Sequence, residues 1–282
     1  MRPNSLAVLG LGAIGGSLAW RATLAGVPSV VGYAPDRPDT VHALKAQAVH
    51  DIADTPARAV RNAELVVLAA PPRAILDLLP LIAPHLAPGA IVTDVASIKL
   101  PILAAARAAG LAARFAGGHP FAGTHVQGWK GAGAELLAGA LVYVCSTGPE
   151  GDAAAREVMD FWAAVIGAHP VLIEAATHDL RLAWSSHLPQ AVASALAAAV
   201  AREPSLRGAA FGSGMRDTTR LAASPVEMWV EVLLQNREPV QAALAGMEAS
   251  LADLRRLLDR GDREGLTTYL SEAASFRRGL ER

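Results

Sequence analysis

The hydrophobic and polar positions fall into two patterns, one in each half of the chain. In the first half, short aliphatic runs alternate with stretches whose apolar residues recur every three or four positions. The runs predict strands over residues 6–9, 29–33, 65–70, 90–95, 114–118 and 141–145. Helices are expected between them, over 14–25, 40–46, 56–62, 73–83, 100–109 and 153–166. A last strand, 169–173, closes the series. Val66-Val67-Leu68-Ala69-Ala70 is apolar at every position, as suits a strand covered on both faces. Strands alternating with helices give crossover units and a parallel sheet.

Beyond about Ala175 no strand pattern recurs. Helices are expected over 177–202, 225–236, 239–260 and 263–278, with a loop and short turns through 208–213. Pro204, Gly208, Gly212 and Gly214 mark the breaks. Within 239–260, Val240, Leu244, Met247, Leu251, Leu254 and Leu258 keep helical spacing. The fold class read from this is α/β: a mostly parallel sheet domain over 1–174, then an all-helical domain over 175–282.

Composition narrows the class. A chain of 282 residues has room for two modest domains. With 52% hydrophobic and 18% charged residues it is not a disordered chain. A net charge of −1 gives no footprint for nucleic acid. The single cysteine, Cys145, excludes an internal disulfide and a Cys-rich metal site, and suits a reducing cytoplasm. Met1 to Ser5 lead straight into Leu6-Ala7-Val8-Leu9-Gly10, which is no signal peptide. No stretch reaches the ~18 uninterrupted apolar residues of a membrane helix. A cytoplasmic protein is therefore expected, with no polyanion as partner.

The first candidate for chemistry follows the first strand. Gly10-Leu11-Gly12-Ala13-Ile14-Gly15 is a G-x-G-x-x-G at the mouth of a helix. Gly10 permits the tight turn, Gly12 lets the backbone approach a pyrophosphate, and Gly15 lets helix and strand pack closely. The helix N-terminus offers free N–H groups and positive dipole to phosphate. Alone the motif is common; heading the first crossover unit of a Rossmann-type sheet, it points to a dinucleotide. Gly10, Gly12, Ala13, Ile14 and Gly15 are candidate cofactor-binding residues, with Ala34, Ala70 and Pro71 at the carboxyl ends of neighbouring strands. An acid that would hold the ribose of NAD is missing after Val30-Val31-Gly32-Tyr33, where Ala34 stands. Asp36 and Arg37 follow. Arg37 would meet a 2′-phosphate and Asp36 would take the NAD role, or both are loop charges. The missing acid points to NADP, or to a relaxed preference between NAD and NADP.

Two further segments stand at strand ends: Thr93-Asp94-Val95-Ala96-Ser97-Ile98-Lys99 and Gly117-Gly118-His119-Pro120-Phe121-Ala122-Gly123-Thr124. Ligands of open parallel sheets bind outside those ends. A histidine there, fixed by proline and flanked by glycines, is placed for proton transfer near neutral pH.

Taken with Ser17, His178-Asp179, Ser186-His187-Leu188-Pro189, Gly214-Met215-Arg216-Asp217-Thr218-Thr219-Arg220-Leu221-Ala222, Met228-Trp229 and Asn236, these motifs resemble the prephenate and arogenate dehydrogenases of tyrosine biosynthesis. The resemblance implies a Rossmann-type domain, a helical domain that forms a homodimer, and oxidative decarboxylation of a cyclohexadiene. It makes His119 the base that takes the hydroxyl proton and Ser97 its neighbour at the hydroxyl or the nicotinamide. It makes Arg220 the anchor of a substrate carboxylate, a role for which its planar fork is suited. His187, Gln190 and His125 fall near the substrate. Lys99 either orients Ser97 or the cofactor, or is a solvated lysine. His178 with Asp179 reads as the cap of the interdomain helix, and Asp217 and Trp229 as supporting or interface residues. The run of alanines at 191, 193, 195 and 197–199 lets helices approach closely, as a dimer would require.

Two departures bear on the substrate. Many members have glutamate where this chain has His125, and a second histidine where it has Gln190. Both changes alter what charge the substrate's side-chain end would meet, a keto acid in prephenate or an amino acid in arogenate. With the helices expected to fill the chain to Arg282, any feedback inhibition by tyrosine would have to act at the active site itself. Three other readings compete. A β-hydroxy acid dehydrogenase needs a lysine in the helical domain, and none follows Lys130; an imine reductase would not need Ser97, His119 and Arg220. A non-catalytic nucleotide-binding sensor would keep the glycine loop and lose turnover.

Overall fold

The computed structural model describes residues 2–122, 126 and 128–280; the side chain of Arg37 also lies outside it. His125 and the Arg37 side chain, both candidates above, are thus outside the described residues. Eight strands form one sheet: β1 (Ser5–Leu9), β2 (Ser29–Tyr33), β3 (Asp51–Ile52), β4 (Leu65–Leu68), β5 (Ile91–Asp94), β6 (Phe115–Pro120), β7 (Leu141–Ser146) and β8 (His169–Leu172). Their order is β3-β2-β1-β4-β5-β6-β7-β8. Helices α1 (Ala13–Leu24), α2 (Arg37–Lys45), α3 (Pro56–Val60), α4 (Pro72–Ile82), α5 (Leu100–Ala108) and α6 (Asp152–Phe161) connect them. The helical part comprises α7 (Ala175–Leu182), α8 (Leu188–Arg202), α9 (Ser213–Thr219), α10 (Val226–Gln235), α11 (Arg237–Asp259) and α12 (Arg263–Gly279).

Side-chain alternation along the strands divides the core between two faces. Leu6, Val8, Val30 and Val67 pack toward α1 and α6. Ala7, Leu9, Val66 and Leu68 pack toward α3, α4 and α5. Burial of one such aliphatic side chain stabilises the fold by about 1.5–3 kcal/mol.

Three local features depart from the sequence reading. The sheet is parallel except between β6 and β7, which run antiparallel. A parallel pair needs a crossover element, and the link between these strands carries only the short turn Trp129–Gly131 among the described residues. β3 is two residues long, too short for any periodicity to show. The helix α9 forms where glycines suggested only turns.

The parallel strands β1, β4, β5 and β6 lie side by side, so their carboxyl ends share one edge. Leu9 pairs with Leu68, and Leu68 with Asp94. That register brings the glycine loop, Ala70, Ser97 and His119 to the same rim of the sheet.

Past the sheet the chain changes character. From α7 to α8 it is helical throughout, with a π-helical turn at Ala183–His187. Few residues here are buried: Leu188, Val240 and Ala243 centre a small core, while α12 buries none. The apolar stripe of α11 is buried at Val240 but exposed at Leu251 and Leu258. Among the described residues no helix is long and apolar enough to cross a membrane.

Candidate active site

The glycine loop has the shape its sequence demands. Gly10 has φ +108°, and a Cβ there would meet the Ala69 carbonyl oxygen at 2.1 Å. A Cβ on Gly15 would stand 1.9 Å from the Gly10 carbonyl oxygen. A side chain at either position would force the backbone of the loop to shift. At Gly12 the nearest atom to such a Cβ is the Gly128 Cα, 3.9 Å away, so the loop mouth is open where a phosphate would approach. Gly12 caps α1 without any side-chain hydrogen bond, which leaves the first N–H groups of Ala13 and Ile14 to a ligand. This cradle fits a dinucleotide pyrophosphate. Ser17 donates to the Ala13 carbonyl and accepts from the Gly133 N–H at 2.9 Å, tying the loop after β6 to α1. Trp129 stacks on Trp20 in the same contact.

At the end of β2, Ala34 is half-buried and Asp36 is exposed. Asp36 stands at the N-terminus of α2 but makes no side-chain cap. Asp39, one turn on, accepts from the Trp129 N–H at 2.9 Å. Ala70 is half-buried and Pro71 precedes α4.

Below the rim lies a buried ion pair. The Lys99 Nζ reaches the Asp94 Oδ2 at 2.5 Å and the Gly118 carbonyl at 2.7 Å. Asp94 also accepts from the Ala96 and Gly118 N–H groups. Burial pushes the Asp94 carboxyl up, against the pull of Lys99 and these two N–H donors. Lys99 is fully buried and so is not a solvated lysine. It ties the turn after β5 to β6 and fixes the backbone just before His119.

His119 is half-buried at the end of β6. Its Nδ1 lies 2.9 Å from the Nε2 of His178 in α7. The His178 Nδ1 lies 2.8 Å from the Asp179 Oδ1. Asp179 accepts the N–H groups of Lys99 and Leu100, both at 2.8 Å. The pair His178-Asp179 is therefore not the cap of its own helix: Glu174 caps α7 through the N–H groups of Ala176 and Thr177, while Asp179 holds the first N–H groups of α5. Sequence reasoning placed His178 and Asp179 among the motifs but missed their contact with His119, which crosses 59 residues. Phe121 packs against His119, and Tyr143 against both Phe121 and His178. Burial holds the His119 imidazole well below its ordinary pKa, helped by His178, Lys99 and His187. Burial lowers His178 as well, against its bond to Asp179.

His187 ends the π-helical turn, fully buried, with the edge of its ring toward Trp229. Its Nδ1 pairs with the Asn236 Nδ2 at 3.0 Å, and Asn236 also donates to the Asp179 carbonyl. Burial drives its pKa down to about 4. Three residues on, Gln190 is buried and donates to the Leu221 carbonyl at 2.9 Å, steadying the turn Arg220–Ala223. The His187 Nε2 and Gln190 Oε1 have no hydrogen-bond partner among the described residues. Ser97 is half-buried just past β5. Arg220 and Asp217 are exposed, and among the described residues no hydrogen bond or ion pair joins Arg220 to His119. The fold thus gathers His119, Ser97 and the glycine loop on one rim and joins His187 to them through Asn236 and Asp179. Arg220 stands exposed at the start of the turn that Gln190 holds.

The model of the prephenate dehydrogenase nucleotide-binding domain matches residues 21–172, and that of the prephenate dehydrogenase dimerization domain matches 174–272. The chain belongs to the prephenate dehydrogenase family. Its relatives include a cyclohexadienyl dehydrogenase of Zymomonas mobilis, 31% identical, with 98% of this chain and 96% of the relative covered. A prephenate dehydrogenase of Bacillus subtilis is 30% identical, over 98% of this chain and 76% of its own length. Among solved structures, prephenate dehydrogenase of Aquifex aeolicus in complex with hydroxyphenyl propionate and NAD+ superposes with a TM-score of 0.91, at 28% identity, covering 98% of both chains. Synechocystis arogenate dehydrogenase superposes at 0.82 with 31% identity, covering 98% of this chain and 99% of that one. The prephenate dehydrogenase family model starts at residue 21, so the glycine loop rests on its own geometry.

Proposed function

We propose that this chain is a cytoplasmic, nicotinamide-dependent dehydrogenase that oxidises and decarboxylates prephenate to 4-hydroxyphenylpyruvate, with arogenate, giving tyrosine, as the alternative substrate. The observation that carries the reading is a partly buried histidine, bonded to His178, on the same sheet rim as an open dinucleotide cradle. The dinucleotide, when bound through Gly10, Gly12, Ala13, Ile14 and Gly15, takes up a hydride. His119 accepts the proton of the ring hydroxyl as the C–H bond on the same carbon breaks. The C–C bond to the ring carboxylate then breaks, and its electrons enter the ring. Carbon dioxide leaves, the ring becomes aromatic, and the oxygen takes back the proton from His119 and ends as a phenol. General base catalysis of this kind contributes ~10²–10⁴-fold.

Ser97 lies one strand away and supports the hydroxyl or the nicotinamide. The unpartnered polar atoms of His187 and Gln190 give the substrate's side-chain end two groups to bind. Arg220, held by the Gln190-anchored turn, binds a carboxylate. The strand β2 ends without an acid, which favours NADP or a relaxed preference over strict NAD. The dimerization-domain match and the exposed apolar residues Val226, Leu234, Leu270 and Phe276 support a homodimer through the helical part.

The test is His119→Asn. The variant keeps its cofactor affinity and loses at least about 100-fold in kcat. Undiminished turnover removes His119 from the chemistry, and a wild-type protein that binds cofactor without turnover is a sensor instead.

A further inference from the structure

Neutral imidazole carries one N–H and one lone pair, and which nitrogen holds which is set by the partners on the ring. The chain from Asp179 to His119 fixes this choice at each step. Both Asp179 oxygens accept backbone N–H groups, from Lys99 and Leu100, so its carboxylate acts as an acceptor. The proton in the bond to His178 therefore sits on the His178 Nδ1. A neutral His178 then offers a lone pair at Nε2, and the bond to His119 is completed by a proton on the His119 Nδ1. The lone pair of His119 is left on Nε2.

From this we infer that His178 is a positioning residue, which with Asp179 locks His119 in the Nδ1–H form and makes Nε2 the atom that takes the proton. The inference rests on the reading of His119 as the base. It assigns work to two residues that the glycine loop, Ser97 and Arg220 do not explain. It also gives a reason for two fully buried polar side chains where α7 leaves the sheet domain. The same bonds link the N-terminus of α5 to α7, so the lock spans the two parts of the chain. When His119 gains a proton it becomes a donor at both nitrogens, and the bond to the His178 lone pair persists without any rearrangement.

Replacing His178 separates the lock from mere packing. Glutamine reproduces the sense of both bonds, with a carbonyl toward His119 and an N–H toward Asp179. Leucine keeps the bulk and offers neither. In full-length protein with ¹⁵N-labelled histidine, long-range ¹H–¹⁵N correlation reads the His119 tautomer directly. Wild type and His178→Gln show the proton on Nδ1, while His178→Leu shows a mixture or a proton on Nε2. The kcat of His178→Leu falls at least about 10-fold at unchanged cofactor affinity, and His178→Gln recovers most of it. A wild-type His119 protonated at Nε2 overturns the inference, as does equal loss of kcat in both variants with the tautomer unmoved. If His178→Leu does not fold, the wild-type spectrum alone still decides. That spectrum needs no substrate, so a failure of the proposed reaction is seen separately in the turnover assay.

Discussion

At the scale of single residues, burial does most of the chemical preparation. His119 loses water around its ring and gains His178, Lys99 and His187 as neighbours, and each of these lowers its pKa. The groups that face it from the packed elements also include Asp94, Tyr143 and Asp179, one step removed. A base must be deprotonated to act, and a lowered pKa keeps His119 neutral to lower pH than a free histidine. The acid limb of kcat/KM, which reports the free enzyme, is therefore expected below the ordinary histidine value of about 6.5. A limb at or above that value contradicts the assignment. Lys99 shows what residue type alone conceals. In sequence it is a charge in a loop, yet the fold buries it completely against Asp94. Removing one partner of such a pair typically costs about 3–5 kcal/mol.

At the scale of elements, the strand and helix pattern was legible because its period is strong. The segments 29–33 and 65–68 alternate or run apolar as buried strands must, and the glycine loop stands between β1 and α1 as its spacing demands. What stayed hidden lacks a local signal. The antiparallel turn of β7 goes with a link that carries no crossover helix among the described residues, and the contact between His119 and His178 joins positions far apart in sequence. His178-Asp179 looked like a cap because a short acidic residue near a helix start often is one; Glu174 holds that place. The loop geometry itself makes a sharp prediction. In Gly15→Ala, the added methyl collides with the Gly10 carbonyl, whose position the β1–α1 turn fixes. The variant should fold, yet lose at least about 10-fold in dinucleotide affinity by fluorescence titration, since α1 must move off the pyrophosphate site. Unchanged affinity places the cofactor elsewhere.

At the scale of the molecule, the two parts have different kinds of surface. The sheet domain buries its central strands β1, β4 and β5 on both faces, whereas α10 and α12 leave Val226 73% and Phe276 71% exposed. Apolar residues so placed suit a second copy of the chain, and sedimentation equilibrium is expected to report twice the chain mass. A monomer at micromolar concentration contradicts this. The two-part plan was legible from the loss of strand pattern near Ala175. The bond from Gln190 to the Leu221 carbonyl, which anchors the turn that carries Arg220, was not, since it joins positions 31 apart in sequence.

The central claim is the reaction itself. The most direct measurement follows the absorbance of reduced nicotinamide with prephenate and with arogenate, each with NAD and with NADP. The account predicts turnover in at least one mixture, with carbon dioxide released in equal amount and an aromatic product. Silence in all four mixtures, with the dinucleotide still bound, contradicts it.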